Sequence, residues 1–379
     1  MNPELTPPMF DPCDDEPFSL AIPAAAGDRA DEDCCPDTWI DADDGTSIAH
    51  ALLSLHGRLS RWLAGDRSQM GRGFTLVELL VVVAIIAALL ALLLPAVQSA
   101  RESSRRTQCM TNERQLMLAL LLYHEARQKF PPAHIDNNPS NPRHHLSWQA
   151  HILGFLEEQA AFDKLDFVNL STALNTNGNP TAYAAFAGTE LPSFRCPSDP
   201  VGRIDPTFAP TNYLASQGGK CTCNATSCEG LFGHSTAVRI SHITDGTTKT
   251  IAIGETLKGD MNTSTLQDNY VMTRTSGITA DTISTCQSQA ATFSDRGTVW
   301  LGGQPQSNMM STDRTPNDPL VDCIAPTYGC SNLAARSAHG GGVVLAFADA
   351  SVHFITDAVD VNTYRALGSK ANNDTVGDY

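Results

Sequence analysis

From Phe74 to Leu94 the chain reads FTLVELLVVVAIIAALLALLL, an apolar run in which Glu78 is the only charged residue. At 1.5 Å per residue a helix over this run is ~31 Å long, enough to cross the hydrocarbon core of a bilayer. The run has no polar face, so the alternative of a core helix in a soluble protein would require burial on every side. A general secretory signal has a shorter apolar core, a basic region before it and a small-residue cleavage site behind it. Here the small residue, Gly73, precedes the apolar run. The segment therefore predicts a membrane-spanning helix. Glu78 costs a few kcal/mol at membrane depth unless it finds a partner, so it predicts one.

Pro95 interrupts the run, after which AVQSARESSRRTQCMTNERQLMLALLLYHEARQKF predicts a second, amphipathic length of helix beyond a proline kink. Val97, Leu116, Leu120 and Tyr123 supply its apolar stripe. Arg101, Arg105 and Arg106 face water or lipid headgroups, and Pro131-Pro132 end the helix. The remainder is rich in Gly, Pro, Asn and Thr with short hydrophobic runs, which predicts an α+β domain containing an antiparallel sheet. Within it Ser147 to Phe167 has helical spacing. Thr250 to Gly254 and Val343 to Phe347 read as strands, Ser351 to Ile355 as the return arm of a hairpin, and Val359 to Leu367 as a short helix. The expected organisation is an acidic leader or extension over 1–73, a membrane-spanning and amphipathic helix over 74–130, and a globular domain over 131–379.

Of the 379 residues, the stretch before Gly73 is crowded with acids, among them Asp14, Asp15, Glu16, Asp31, Glu32, Asp33, Asp43 and Asp44, and reads as weakly structured. Leu52, Leu55, Leu59 and Leu63 would line one face of a short helix there. The formal charge of −16, without a compact basic patch, argues against nucleic acid as a partner. Eleven cysteines are many for a reducing compartment. Cys196, Cys221, Cys223, Cys228, Cys286, Cys323 and Cys330 are read as disulfide candidates, with Cys323 and Cys330 a natural pair and Cys109 free. The cluster Cys221, Cys223 and Cys228, with Cys196 as a fourth ligand, would be a zinc site, but it lacks the paired CxxC spacing of a zinc knuckle, so disulfides are preferred. His339, Asp349 and Glu255 have neither a nucleophile elbow nor an HExxH spacing nearby, so His339 reads as a hydrogen-bonding structural residue and the chain as no enzyme, with no cofactor. His134, His144, His145 and His151 read as surface residues.

The segment Arg72-Gly73-Phe74-Thr75-Leu76-Val77-Glu78 resembles the type IV prepilin processing signal found in pilins and in the pseudopilins of type II secretion. Further on come Pro95-Ala96-Val97-Gln98 with Arg101, Arg105-Arg106, Cys109, Phe130-Pro131-Pro132, Ser147-Trp148, Phe194-Arg195-Cys196-Pro197-Ser198-Asp199, Thr211-Asn212-Tyr213, Thr244-Asp245-Gly246-Thr247 and Gly254-Glu255. Near the end come His339-Gly340-Gly341-Gly342 and Phe347-Ala348-Asp349-Ala350-Ser351-Val352-His353-Phe354. With these segments, in this order, the chain resembles a large bacterial family of prepilin-like proteins, domain of unknown function 1559. The family's last hairpin turns on Asp-Gly, whereas Asp349 here is followed by Ala350, which puts a turn needing positive φ in doubt.

The resemblance implies that a prepilin peptidase cuts between Gly73 and Phe74, that the Phe74 amine is N-methylated, and that Glu78 pairs with the N-terminus of a neighbouring pilin-like subunit. It implies a single-pass protein of the cytoplasmic membrane, its N-terminus inside and its C-terminal domain exported, standing alone or within a surface filament. Basic residues flank both ends of the anchor, so the positive-inside rule leaves the orientation to the processing motif. The expected function is a pilin- or pseudopilin-like structural or interaction protein. The alternative is an anchored binding module for carbohydrate or another solute. The acidic leader is long for this class, and Met70 would give an ordinary short one, so translation from Met1 or from Met70 both stay open.

Overall fold

The computed structural model describes residues 75–133, 146–163, 165, 187–219, 228–233, 236–262, 272–274, 294–302, 308–324, 331–374, 376–377 and 379. By contacts the chain divides into Met1–Leu79 and Leu80–Tyr379. Of the first unit only residues 75–79 are described. There Thr75 caps the long first helix: its N–H and its hydroxyl both donate to Glu78 Oε2, at 2.8 and 2.9 Å, and the Glu78 N–H donates to Thr75 Oγ1 at 3.3 Å. This Thr-x-x-Glu exchange is a capping box, which satisfies helix-end donors that would otherwise be orphaned.

The helix, α1, spans Leu76–Arg127 and passes through Pro95 as one element. Proline removes one ladder hydrogen bond without ending a helix whose flanking residues are strong formers, so the lengths expected before and after Pro95 belong to one helix. All residues from 75 to 101 are exposed, and the helix is long and apolar enough to cross a membrane. Further on, Cys109, Asn112, Glu113, Leu116, Met117, Ala119 and Leu120 are buried, a stripe of three- and four-residue spacing pressed onto the domain. Val97 is 47% exposed and does not join it, because it lies more than three turns before the first buried position. Arg106 does not face water freely but stacks on Phe354, 4.7 Å from the ring centroid. The helix stops before the prolines expected to end it: Gln128 takes a left-handed φ of 59° and its N–H bonds His124 O. Phe130, fully buried, then bonds backbone to backbone with Val238.

Among the described residues eight strands follow: β1 Tyr213–Ser216, β2 Ile251–Glu255, β3 Met272–Arg274, β4 Met309–Met310, β5 Asp322–Ile324, β6 Ser331–Asn332, β7 Gly342–Phe347 and β8 Val352–Thr356. Five form a sheet in the order β4-β1-β2-β7-β8, and three form a smaller one in the order β3-β5-β6. Pairing is mainly antiparallel, but β1 with β4 and β3 with β5 run parallel. The architecture is α+β, with mixed sheets where an antiparallel one was expected.

Alternate side chains of the larger sheet enter two cores, as the two-residue repeat of a strand requires. Tyr213, Ala215, Ala252, Ile253 and Ala346 share one with Cys109, Leu116 and Leu120 of α1. Leu214, Val343, Leu345 and Phe347 share the other with Tyr364 and Leu367. The latter two belong to α4, Val361–Gly368, capped by Asp360, whose carboxylate accepts from the N–H groups of Asn362 and Thr363. A register shift between Ile251 and Ile253 lets β2 supply both cores out of strict alternation. Gly254 sits close under its neighbours: a Cβ there would meet Met310 Sδ at 2.4 Å and Leu345 Cδ2 at 2.5 Å, so those two side-chain ends would have to shift to admit one.

Between α1 and β1 lie two short helices, α2 Trp148–Ile152 and α3 Gln159–Phe162, separated by a 3-10 turn. The single helix expected over Ser147 to Phe167 is broken at Glu157, whose φ of 63° no right-handed helix accommodates. Ser147 caps α2. The β7–β8 hairpin keeps its turn despite lacking glycine: Ala350 takes φ 68°, its N–H bonds Phe347 O, and the Asp349 carboxylate accepts from the Ser351 N–H and hydroxyl. Local hydrogen bonds thus carry an alanine through a left-handed position that glycine would occupy at lower cost.

Candidate functional site

Two regions hold the residues singled out by sequence: the start of α1, and the seam where α1 meets the sheet. Gly73 and Phe74 lie outside the described residues. Glu78 is described, and its partner within its own chain is Thr75. Sequence reading expected a partner for this carboxylate but missed the capping box, although the Thr-x-x-Glu spacing was its signal.

At the seam, α1 contributes Glu102, Cys109, Asn112 and Glu113. Cys109 is joined to Cys196 by a disulfide, the Cα atoms 5.2 Å apart. Cys109 was expected free; in fact the buried stripe of α1 turns it directly onto the loop that follows the 3-10 turn Pro192–Phe194. Its sequence neighbours gave no sign of that loop. The same loop is held by Asn112, whose side-chain N–H groups donate to the carbonyls of Pro192 and Arg195 and to the Tyr213 hydroxyl.

His339 closes the seam. Its Nδ1 lies 2.6 Å from Glu102 Oε1, its Nε2 lies 3.3 Å from Glu255 Oε1 and 3.5 Å from Cys196 Sγ, and its ring is buried. Burial alone would depress its pKa, but hydrogen bonds and charge from Glu255 and Glu102 outweigh it and raise the value above 6.5. The Ser198 hydroxyl also donates to Glu102, and the Val344 N–H to Glu255 Oε2. The expected structural role of His339 matches this network. Asp349 is not part of it and caps the hairpin turn instead. Behind His339, Glu113 is completely buried; burial first, then the charge of Glu255, holds its carboxyl well above the usual range.

Sulfur, imidazole and carboxylate atoms of Cys109, Cys196, Glu255 and His339 lie within 4.8 Å of one another. A cysteine ligates zinc only as a thiolate, and here both sulfurs are spent on each other, which leaves two donors, too few for a structural site. The same bond removes Cys196 from the zinc set considered with Cys221, Cys223 and Cys228. Cys228 and Cys323 are also disulfide-bonded. Cys221, Cys223, Cys286 and Cys330 lie outside the described residues, as do His134, His144 and His145. His151, expected at the surface, is buried edge-on to Tyr123, and burial, with the charge of Arg127 second, lowers it to about 4. It packs inward because α2 is buried along its whole length.

Two further buried polar groups were not expected as groups, although Asp199 and Asn212 lie in segments that carry the family resemblance. Asp322 on β5 receives Arg296, Arg314 and Arg336, which together hold its carboxyl well below the usual range against the cost of burial. Asp199, Asn212 and Lys258 meet beside β1. An open hollow of about 490 Å³ borders α4, lined mainly by Glu229, Asp360, Asn362, Thr363, Arg365 and Asp374.

An exposed apolar helix, opened by a Thr/Glu cap and riveted by its far half to a disulfide-bonded α+β domain, is the plan of a pilin-like protein. In agreement, residues 70–94 match the prokaryotic N-terminal methylation motif. Residues 98–362 match the family described as protein of unknown function (DUF1559), and the chain belongs to that family. No curated protein and no solved structure matches the chain.

Proposed function

We propose that the protein is a membrane-anchored pilin- or pseudopilin-like structural protein, cut by a prepilin peptidase between Gly73 and Phe74, methylated on the Phe74 amine, and assembled with other pilin-like subunits. It is not an enzyme. Its N-terminus faces the cytoplasm before cleavage, and the C-terminal domain stands outside. The observation that carries the reading is the methylation motif continuing without a break into an exposed apolar helix. A peptidase working at the cytoplasmic membrane face needs a small residue before the scissile bond, which Gly73 provides. The disulfide at the base of the domain fits an oxidising compartment.

In this reading Glu78 has two successive partners. Thr75 satisfies it in the single chain, and on assembly the methylated amine of a neighbour's Phe74 adds a charge that an uncharged cap cannot supply. An ion pair at membrane depth removes the cost of a lone carboxylate and sets subunit register. Glu78→Gln retains the cap's hydrogen-bonding shape but loses the charge. It should therefore be cleaved like the wild type while its subunit-to-subunit cross-linking in membranes falls by at least about tenfold, the ratio that ~1.4 kcal/mol represents. Wild-type cross-linking by Glu78→Gln would contradict assembly through this pair. The anchored solute-binding alternative has no specific observation in its favour.

A further inference from the structure

Lys258 is completely buried, in the strand-to-loop segment just after β2. A buried lysine is rare because its ammonium loses hydration. Its partners are unusual as well. Nζ lies 2.7 Å from Asp199 Oδ2 and 3.3 Å from the side-chain carbonyl oxygen of Asn212. Asp199 Oδ2 in turn accepts from Asn212 Nδ2 at 2.5 Å, so one carboxylate oxygen touches both nitrogens. The side chains of Lys258 and Asp199 are each 1% exposed, and Asn212 is fully buried.

We propose that Lys258 and Asn212 are joined by an intramolecular isopeptide bond, formed spontaneously in the folded domain with Asp199 as proton shuttle. The geometry meets several requirements of acyl transfer. The nucleophile and the carboxamide are held together by the fold, which removes the entropic cost of bringing them together. Burial lowers the lysine pKa, against the opposing effect of Asp199, and so favours the neutral amine that attacks. The Cys196 N–H donates to Asn212 Oδ1 at 3.0 Å, in position to stabilise the oxyanion of the tetrahedral intermediate. Asp199 is itself fixed, its Oδ2 by the Lys258 N–H at 3.1 Å and its Oδ1 by the Val201 N–H at 2.9 Å. Water, the competing nucleophile, is shut out.

In the reaction Lys258 passes a proton to Asp199, and the free amine adds to Asn212 Cγ. The Nζ–Cγ bond forms, Asp199 relays a proton from Nζ to Nδ2, and the Cγ–Nδ2 bond breaks. The new amide keeps one proton, ammonia leaves with three, and the last stays on Asp199. No oxidant or cofactor is needed, and the site ends without a buried charge. The bond would tie the residue before β1 to the loop after β2, a covalent staple between two central strands that is independent of the anchor and of any assembly.

The test is peptide mapping of the purified full-length protein, folded, then reduced, alkylated and digested with trypsin. The isopeptide bond predicts a branched species joining the peptide 204–220 to the peptide 250–274, uncut at Lys258 and lighter than their sum by one ammonia. The two linear forms should be nearly absent. In Asp199→Asn the branched species should fall at least tenfold and the linear peptides return. Full recovery of both linear peptides from the folded wild type, with Asn212 and Lys258 unmodified, overturns the proposal whether or not the variant folds. An undiminished branched species in Asp199→Asn overturns the role of Asp199.

Discussion

Glu113 is buried on α1, and neither of its side-chain oxygens makes a full hydrogen bond among the described residues. Ala346 lies near enough to lower its pKa slightly, but burial and the charge of Glu255 dominate and raise it well above 4.5. An acid with a raised folded-state pKa keeps its proton in the folded protein while the unfolded chain loses it. Stability contributed in this way is present below 4.5 and lost as pH rises toward the folded value. Glu113→Gln keeps the shape and removes the titration. Chemical denaturation of the detergent-solubilised protein should therefore show the variant more stable than wild type by about 1–3 kcal/mol at pH 7, and nearly equal to it at pH 4. His151 works in the opposite sense. Its folded pKa of about 4 lies below the ordinary 6.5, so the unfolded chain takes the proton first and stability falls as pH drops from 6.5 to 4. Replacing His151 with an apolar residue of similar size should flatten that acid limb. Neither group was legible as perturbed, because burial depends on partners far along the chain.

Among the elements, α1 is tied to the domain by the Cys109–Cys196 bond, which closes a loop of 87 residues. In the chain-entropy picture a loop of that size contributes about 4–5 kcal/mol. Cys109→Ser with Cys196→Ser should therefore lower unfolding stability by up to that amount, measured in denaturant beside the wild type, and should expose the helix half 109–127 to proteolysis. A loss below about 1 kcal/mol would mean that the buried stripe alone holds the helix. Elements whose signal is local were readable from sequence: the apolar run, the hairpin of β7 and β8, and α4 with its flanking acid. Those set by distant contacts were not. The two-residue strands β4 and β6 exist only by pairing, and the end of α1 is decided by Gln128 in a left-handed conformation and by Phe130 docking on Val238. The Thr75–Glu78 cap was legible in its Thr-x-x-Glu spacing.

For the molecule as a whole, the division between an exposed apolar helix and a compact α+β domain was legible, since hydropathy and composition change sharply along the chain. The interior of the domain was not. The Asp322–arginine cluster, the Glu102–His339–Glu255 relay and the Asp199–Asn212–Lys258 group each assemble residues from separate segments, and no spacing rule links them. These buried polar groups and disulfides describe a domain stiffened from within. The central claim concerns its other end. Mass spectrometry of the N-terminus of the membrane-borne protein, from cells with an active prepilin peptidase, tests it most directly. The account predicts a mature chain that begins at Phe74 and carries a methyl group on its amine. A mature chain that still begins upstream and retains Arg72-Gly73 would contradict it.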